Sequence, residues 1–410
     1  MSDSGSIEPK ATEGVSQLPI EVGLVTIGRI DPVDEEAVEL ARRRIEGHLL
    51  EWFAEFTWRL TVVERREATT NRRDEPVMLL EQAQTERDLH KWDFVLVITS
   101  SDLIGHDKPF ALAAVSRTLD SAVLSTARID PRAVDASADR ESRIMRLAHR
   151  IEVMIVRCLG HLNGLDHDLS PDNYMWDADD VAELDDIAVL TSEQILKMRE
   201  NLKQIADLRL EERGDPSLRS SALFVLRAAW FGRWEILAGV MEAAPWLFPV
   251  RFSRLTTAAV SALLILLMTA EVWDMSMNQS AASVAGLMLM IIVITTAYIV
   301  IRQRLFVRRQ DRLMTEQIAV SNVTAMLIVL CGMLTTSVAL IGAALTVGVT
   351  LFPDRLVQHW SASLDGPVGT SHYLLLSSVV TAFSVAIGSF GAIFENQSYF
   401  RHVTFVDEEF

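Results

Sequence analysis

The chain has 410 residues, enough for two or three ordinary domains. Its formal net charge of -17 excludes a nucleic-acid partner, because phosphate backbones are bound by clustered Lys and Arg side chains. Hydrophobic residues make up 50% of the chain, but the charged residues concentrate in its first half and the long apolar runs in its second. The two halves are therefore predicted to fold in different solvents. Its two cysteines lie one in each half, which predicts no disulfide framework and a reducing compartment.

The first half begins with an acidic, polar lead at residues 1–19, which lacks the basic and apolar regions of a signal peptide and is expected to be disordered. Residues 20–213 alternate strand-like and helix-like patterns, which predicts an α+β domain with a mixed sheet and covering helices. The predicted strands are Glu21–Ile27, Trp58–Glu64, Phe94–Thr99 and Ser121–Thr126, and the predicted helices are Val33–Phe53 and Met78–Leu89. Phe94–Thr99 is apolar on both faces, whereas Ser121–Thr126 is shorter and more polar, as suits an edge strand.

A long helix is predicted from about Asp139 to Gly160, because apolar residues recur there on one broad stripe. The segment that follows it, His161-Leu-Asn-Gly164-Leu-Asp-His167, is the most informative part of the sequence. Gly164 lets the chain leave the helix sharply, so that His167 can turn back toward His161.

This segment resembles the signature of the metzincin metallopeptidases, and in particular of the archaemetzincin type of zincin. In that family, H-E-x-x-H-x-x-G-x-x-H supplies three zinc-binding histidines and a glutamate general base, and a methionine turn follows. Here the pattern falls on residues 157–167, and its second half matches at His161, Gly164 and His167. Asn173-Tyr-Met175 resembles the methionine turn.

The order of the neighbouring elements is also similar to that of the family. Thr191 and Gln194 form a capping box that opens a helix running to Leu210, where the family has its closing helix. Ser121–Ile129 precedes the long helix, as does the strand that borders the substrate cleft in the family. The resemblance therefore implies a zincin-like fold for residues 20–213.

The first half of the signature is replaced in this chain. Arg157 stands at the position of the first zinc-binding histidine, and Cys158 stands at that of the glutamate. An arginine stays protonated in a protein and cannot bind zinc, and a cysteine has no carboxylate with which to move protons. The sequence therefore predicts that ordinary metzincin hydrolysis is lost and that no cofactor is bound, with zinc as the one candidate.

Two interpretations of the remaining histidines follow. Cys158 and the two histidines could supply a thiolate and two imidazoles to a rearranged zinc site. Alternatively, the histidines hold the loop through hydrogen bonds, and Arg157 pairs with Asp166 or Asp168 to replace the metal as the link between helix and loop. The second interpretation is favoured, because the first requires the helix to rotate from its position in the family.

Residues 214–253 connect the two halves. Ser221–Val250 is apolar and aromatic but interrupted by charged residues, a pattern typical of an amphipathic helix in the membrane interface. Trp230, Trp234 and Trp246 are then expected at headgroup depth. A re-entrant or buried helix is the alternative.

Four apolar stretches within residues 254–394 reach the roughly 20 residues that a helix needs to cross the hydrocarbon core. They are Leu255–Trp273, Ala281–Ile301, Val323–Phe352 and Tyr373–Phe394. They predict an all-α transmembrane bundle, whose third helix is long enough to tilt or project, followed by a tail at 395–410. Ser384, Gly388 and Ala392 share one helix face, as close helix packing requires.

Arginines set the predicted orientation of the bundle. The loop between the second and third spans contains Arg302, Arg304, Arg308, Arg309 and Arg312. The first hairpin loop, near residue 278, has neither Arg nor Lys. Because cytoplasmic loops are enriched in these residues, the chain is predicted to be a multi-pass protein of the cell membrane with both termini in the cytoplasm.

The leading functional hypothesis is a membrane-tethered pseudopeptidase, whose soluble domain binds a peptide or protein ligand without hydrolysing it. The spans would anchor this domain in the lipid bilayer or join copies of the chain into a homo-oligomer. A membrane-bound zinc peptidase with a rearranged site is the enzyme alternative. A conduit for ions or small solutes is the third hypothesis, although the spans carry almost no ionisable residue apart from Glu271 at the outer end of the first.

Overall fold

The computed structural model describes residues 18–66, 72–105, 111–131, 139–206, 218–306, 316–360, 367–392, 399–402 and 406–409. The N-terminal half is a mixed α/β domain, and the C-terminal region is helical. Residues 1–17 of the predicted lead, the helix end predicted at Leu210, and Arg308, Arg309 and Arg312 lie outside the described residues.

The predicted elements of the N-terminal half are all confirmed, with ends shifted by three residues or fewer within the described ranges. The strands are β1 (Leu18–Ile27), β2 (Phe56–Arg65), β3 (Arg73–Asp74), β4 (Phe94–Thr99), β5 (Asp102–Leu103), β6 (Ala113–Ser116), β7 (Ser121–Ser125) and β8 (Asp407–Glu409). The helices are α1 (Pro32–Trp52), α2 (Pro76–His90), α3 (Thr126–Ile129), α4 (Arg140–Leu162) and α5 (Ser192–Ala206), with 3₁₀ turns at Arg117–Leu119 and Val181–Asp185.

The main sheet has the strand order β2-β1-β4-β7-β6-β8. Its first four strands are parallel, and β6 and β8 are antiparallel to their neighbours. Alternate residues of β4 belong to two different cores: Leu96 joins that of α1 and α4, and Val97 joins that of α2 and the helical region. A strand buried on both faces is apolar throughout, which is why the sequence pattern of β4 was so clear.

The strand predicted at the edge, Ser121–Thr126, lies inside the sheet instead. β7 runs between β4 and β6, all five of its residues are buried, and residues 126–129 form helix α3. The edge position was wrongly predicted from the polar residues of this strand. A serine can be buried when its hydroxyl has a hydrogen-bond partner, and Ser125 Oγ donates to the Ser101 carbonyl at 2.6 Å. β6, which was not predicted, lies between β7 and β8. β8 forms this edge of the sheet.

The helical region contains α6 (Leu218–Phe231), α7 (Arg233–Glu242), α8 (Phe248–Arg251), α9 (Ser253–Leu267), α10 (Ala270–Met277), α11 (Ala281–Arg302), α12 (Glu316–Leu351), α13 (Asp354–Trp360) and α14 (Thr370–Gly391). Within the described residues, α11, α12 and α14 are each long and apolar enough to cross a membrane. The number of candidate spans among these residues rises to four if residues 236–251 and 253–267, which are bent by 50° relative to each other, cross the membrane as one broken span.

The first predicted span, Leu255–Trp273, is not one continuous helix. α9 ends at Leu267, and α10 begins at Ala270. Two side chains satisfy carbonyls at the end of α9: Thr269 Oγ1 donates to Ile265 at 2.9 Å, and the Trp273 indole donates to Leu267 at 2.9 Å. Because side chains occupy carbonyls that the next helical turn would otherwise use, the helix can stop there.

Helix α12, which contains the third predicted span, reaches the sheet domain. α12 has 36 residues. At 1.5 Å per residue it is about 54 Å long, against about 30 Å for a hydrocarbon core. Near its first turn, Ser321 Oγ donates to the Thr118 carbonyl in the 3₁₀ turn after β6. The extra length of this helix therefore connects the helical region to the sheet domain.

The single amphipathic helix predicted for Ser221–Val250 is instead divided into α6, α7 and the start of α8. The first two are the longest. They meet at Gly232, where a Cβ would lie 2.8 Å from Val320 Cγ2 on α12. Trp230 and Trp234 are 69% and 70% exposed, and the Arg233 guanidinium lies over both rings at 5.3 and 5.6 Å. This side of the segment thus presents aromatic and cationic groups together.

The small-residue face predicted on the last span is confirmed as a close packing surface. A Cβ on Gly388 would lie 2.7 Å from the Ala259 Cβ and 3.1 Å from the Leu255 carbonyl on α9. Ser384 and Ala392 are also buried. Close approach of the two helix backbones therefore requires glycine at residue 388.

Candidate functional site

Helix α4 ends in a Schellman motif that sets the path of the histidine loop, residues 161–167. The Leu165 N–H donates to the Gly160 carbonyl, and the Gly164 N–H donates to the His161 carbonyl, both at 2.9 Å. Gly164 has φ +78°, in the left-handed region that favours glycine. The sharp exit predicted at Gly164 is confirmed.

The loop brings the two histidines together. Their ring centroids are 4.8 Å apart, with an angle of 58° between the ring planes. His161 is buried, with its Nδ1 3.1 Å from the Leu165 carbonyl, while His167 is exposed. Because the carbonyl can only accept, Nδ1 carries the proton of a neutral His161 ring, and Nε2 is then the atom with a lone pair.

Arg157 lies one helical turn before His161 and is completely buried. Its Nε donates to the Tyr174 carbonyl at 3.1 Å, and an Nη donates to the Trp176 carbonyl. The sequence analysis expected a link from Arg157 to Asp166 or Asp168. The structure directs these bonds to main-chain carbonyls on either side of Met175, so the side chain ties α4 to the methionine segment, residues 173–176.

Met175 is buried at the centre of this segment and packs against α4. A Cβ on Gly160 would lie 2.5 Å from the Met175 sulfur, so glycine provides the space that the methionine fills. The Met175 N–H donates to Asn173 Oδ1 at 2.8 Å, and the Asn173 side-chain amide donates to Gln194 Oε1 at 2.9 Å. The segment is therefore fixed both to α4 and to the start of α5.

The capping box predicted at the start of α5 is confirmed. The Gln194 N–H donates to Thr191 Oγ1 at 3.3 Å, and Gln194 Oε1 accepts from the Thr191 N–H at 2.9 Å. The Gln194 amide also donates to Asp168 Oδ2 at 3.1 Å. One side chain thus caps α5 and contacts the ends of both the histidine loop and the methionine segment.

A buried polar network connects the methionine segment to α4 and α1. The Tyr174 hydroxyl donates to Glu152 Oε1 at 3.2 Å, and burial beside this carboxylate raises the pKa of Tyr174 above its ordinary value. Glu152 also faces His48 Nε2 at 3.2 Å and Arg44 at 3.6 Å. The buried carboxylate of α4 is therefore engaged with Tyr174 and α1.

Arg157 is the last of three buried arginines spaced seven residues apart on α4, a row that the sequence analysis missed. Arg143 donates to Asp130 at 2.6 Å, and Arg150 donates to Asp185 at 2.7 Å. Seven residues are about two turns, so the three side chains leave the same face of the helix. Each fixes a separate loop to α4, and the spacing was the signal that could have revealed them.

The donor set at the end of α4 does not fit the zinc site that the family resemblance implies. Three histidines would be required, and Arg157 stands where the first would be. In the part of the chain that the structure describes, no three His, Cys, Asp or Glu side chains gather so as to hold a metal ion. Cys158 is fully buried in the hydrophobic core, so the rearranged site of Cys158, His161 and His167 is not assembled.

The chain has structural similarity to several solved metallopeptidases. Archaemetzincin from Methanopyrus kandleri is 22% identical, with a TM-score of 0.36, over 47% of this chain and 98% of that one. Archaemetzincin from Archaeoglobus fulgidus is 17% identical, with a TM-score of 0.32, over 43% and 99%. A zinc-dependent peptidase from Methanocorpusculum labreanum is 16% identical, with a TM-score of 0.33, over 43% and 99%. No protein-family model and no curated protein matches the chain.

Proposed function

We propose that the protein is a membrane-anchored pseudopeptidase, whose metzincin-like soluble domain binds a peptide or protein without hydrolysing it. The observation that carries this proposal is the position of Arg157. Its guanidinium is buried against the Tyr174 and Trp176 carbonyls, one helical turn from His161. A permanent positive charge there opposes the binding of a cation by the histidine pair.

The described acid–base groups support the same proposal. Peptide hydrolysis requires a group that accepts the proton of the attacking water within hydrogen-bonding reach. Cys158, at the position of the family's glutamate, lies in the hydrophobic core. Glu152 accepts a hydrogen bond from Tyr174 and faces His48, so its carboxylate is already engaged. Neither residue supplies the general base that the family signature would provide.

The role proposed for the membrane region is that of an anchor rather than a conduit. Several buried hydroxyls within its helices donate to carbonyls of their own helix: Thr295 to Ile291 at 2.8 Å, and Thr336 to Gly332 at 2.8 Å. Hydroxyls bonded in this way are compatible with tight apolar packing and do not require a hydrated pathway.

We further propose that the soluble domain and both chain ends lie in the cytoplasm. Arg302 is the last residue of α11 and Arg304 follows the helix, and arginines are enriched at the cytoplasmic ends of spans. The start of α12, at the same end of the bundle, contacts the soluble domain through Ser321 and Thr118.

The double substitution Arg157→His with Cys158→Glu tests this proposal, because it would restore the family's metal and base positions. After dialysis against zinc and then buffer, the variant is expected to retain about one zinc per chain, whereas the natural protein does not. Adding His167→Ala to the double variant should abolish its zinc binding. Circular dichroism must first show that each variant is folded, since the substitution also removes the Arg157 crosslink.

Hydrolysis of a quenched fluorescent peptide library, measured with added zinc, completes the test. The natural protein is expected to show no turnover above the level of its His161→Ala variant. Zinc-dependent turnover that this variant loses would overturn the proposal and favour the peptidase alternative. A folded double variant without zinc would show that residues 157–167 do not align with the family signature.

A further inference from the structure

Strand β8, in the C-terminal tail, forms one edge of the main sheet. β8 pairs antiparallel with β6, with Asp407 opposite Val115, Glu408 opposite Ala114 and Glu409 opposite Ala113. Without β8, β6 would be the outermost strand and would present a row of unpaired N–H and C=O groups. An extended peptide can bind such an edge through its main chain alone, so the tail covers a surface suited to peptide binding.

The residues before β8 are held between the membrane helices and the sheet domain. The Phe400 ring stacks on Phe252, with centroids 4.1 Å apart, and Arg401 forms an ion pair with Glu81 of α2. His402 Nε2 lies 3.0 Å from Glu408 Oε1, and both side chains are buried. Residues 399–402 therefore form an anchor with contacts of its own, in addition to the His402–Glu408 pair that joins it to β8.

The covered edge runs toward the histidine loop. β6 is followed directly by Arg117, whose Nη2 lies 2.9 Å from the position that a Cβ on Gly164 would occupy. The antiparallel register puts Asp407 near this end of β6 and Glu409 at the other end. A peptide bound on β6 would thus begin close to the candidate site.

We infer that residues 406–409 are a built-in, exchangeable occupant of the β6 edge, and that an extended acidic peptide can displace them. This inference deepens the proposed binding role and rests on it. The described pairing of β8 is three residues long and lies at the edge of the sheet, where few hydrogen bonds must break for a strand to leave. When β8 leaves, the anchor at 399–402 keeps His402 in place, and an incoming carboxylate can take the position of Glu408.

Binding of a fluorescein-labelled peptide that corresponds to residues 403–410 tests the inference. The full chain and a variant lacking residues 406–410 are compared in detergent micelles by fluorescence anisotropy. The truncated variant is expected to bind at least about tenfold more tightly, because a tethered tail competes at an effective concentration in the millimolar range. A peptide with glutamine at the position of Glu408 should bind the truncated variant more weakly than the acidic peptide.

A disulfide lock tests exchange without removing the tail. Val115 and Asp407 are opposite each other, so Val115→Cys with Asp407→Cys can form a bridge across the pair. Peptide binding by this variant should be at least about tenfold weaker when oxidised than after reduction. The Asp407→Cys single variant, which keeps the natural Cys158 and Cys331, is the control and should show no such change.

The inference is overturned if the folded truncated variant binds no better than the full chain, or if oxidation leaves peptide binding by the locked variant unchanged. Mass spectrometry of the peptide separates this failure from failure of the proposed function. A peptide that binds but is cleaved contradicts the pseudopeptidase proposal alone. A peptide that stays intact and unbound contradicts the inference alone.

Discussion

The histidine loop and the methionine segment lie side by side at the end of α4, but they are held differently. The methionine segment is fixed by the buried Arg157 guanidinium, by the amide pair of Asn173 and Gln194, and by burial of Met175. The histidine loop contains the helix cap at Gly164 and ends in the exposed side chain of His167. The methionine segment is thus crosslinked to α4 and α5 by buried side chains, whereas the histidine loop ends in a side chain exposed to solvent.

The difference lies in the buried side chain that attaches the methionine segment to α4. A guanidinium presents five N–H donors in a planar fork, so one side chain can join two carbonyls of a neighbouring segment. In this chain Arg157 supplies that connection. Substitutions that loosen the methionine segment should therefore cost more stability than substitutions in the histidine loop.

The largest effect is expected for Arg157→Ala. It removes two hydrogen bonds and leaves the buried Tyr174 and Trp176 carbonyls without these donors, so the free energy of unfolding should fall by about 3–5 kcal/mol. Urea unfolding in micelles, followed by tryptophan fluorescence, measures this change. Arg146→Ala is the matched control, because Arg146 lies on the same helix with its side chain 56% exposed. It should cost less than about 1 kcal/mol, and equal losses in the two variants would contradict the crosslink.

A smaller effect is expected for Gly160→Ala. The added methyl group would overlap the Met175 sulfur, and overpacking of this kind costs about 1–3 kcal/mol. Gly47→Ala provides the control, since no atom lies within 4 Å of the new Cβ in the interior of α1. That variant should be more stable by about 0.5–1 kcal/mol, from helix propensity. If both variants gain stability, Met175 is not tightly packed against α4.

The smallest effect is expected for His167→Ala. The side chain is exposed, so its removal should change the free energy of unfolding by no more than about 0.5 kcal/mol. The same urea titration, repeated with and without added zinc, checks this value. A loss of stability comparable to that of Arg157→Ala, present only with zinc, would show that the histidine loop holds a metal.

Much of the fold could be predicted from local sequence patterns, and its long-range pairings could not. Apolar periodicity predicted α4, a short continuous apolar run predicted β4, and the length of the apolar runs predicted α11, α12 and α14. β6 and β8 were missed because a four-residue strand and an acidic three-residue tail carry little pattern of their own. They pair across almost 300 residues of chain, and no local signal encodes that contact.

In the candidate site, too, the local turn could be predicted from the sequence and the long-range contacts could not. The turn that brings His161 and His167 together could be predicted, because Gly164 marks it in the sequence. The partners of Arg157 were predicted to be carboxylates, since acidic residues can be seen in a sequence. Its described acceptors are main-chain carbonyls, which every residue possesses, so only the fold identifies them.

The central claim is that the histidine pair does not hold a catalytic zinc, and elemental analysis of the purified full chain tests it most directly. The protein is saturated with zinc, dialysed, and compared with its His161→Ala, His167→Ala double variant. The account predicts that both retain the same amount, well below one zinc per chain. One zinc per natural chain, absent from the double variant, would contradict it.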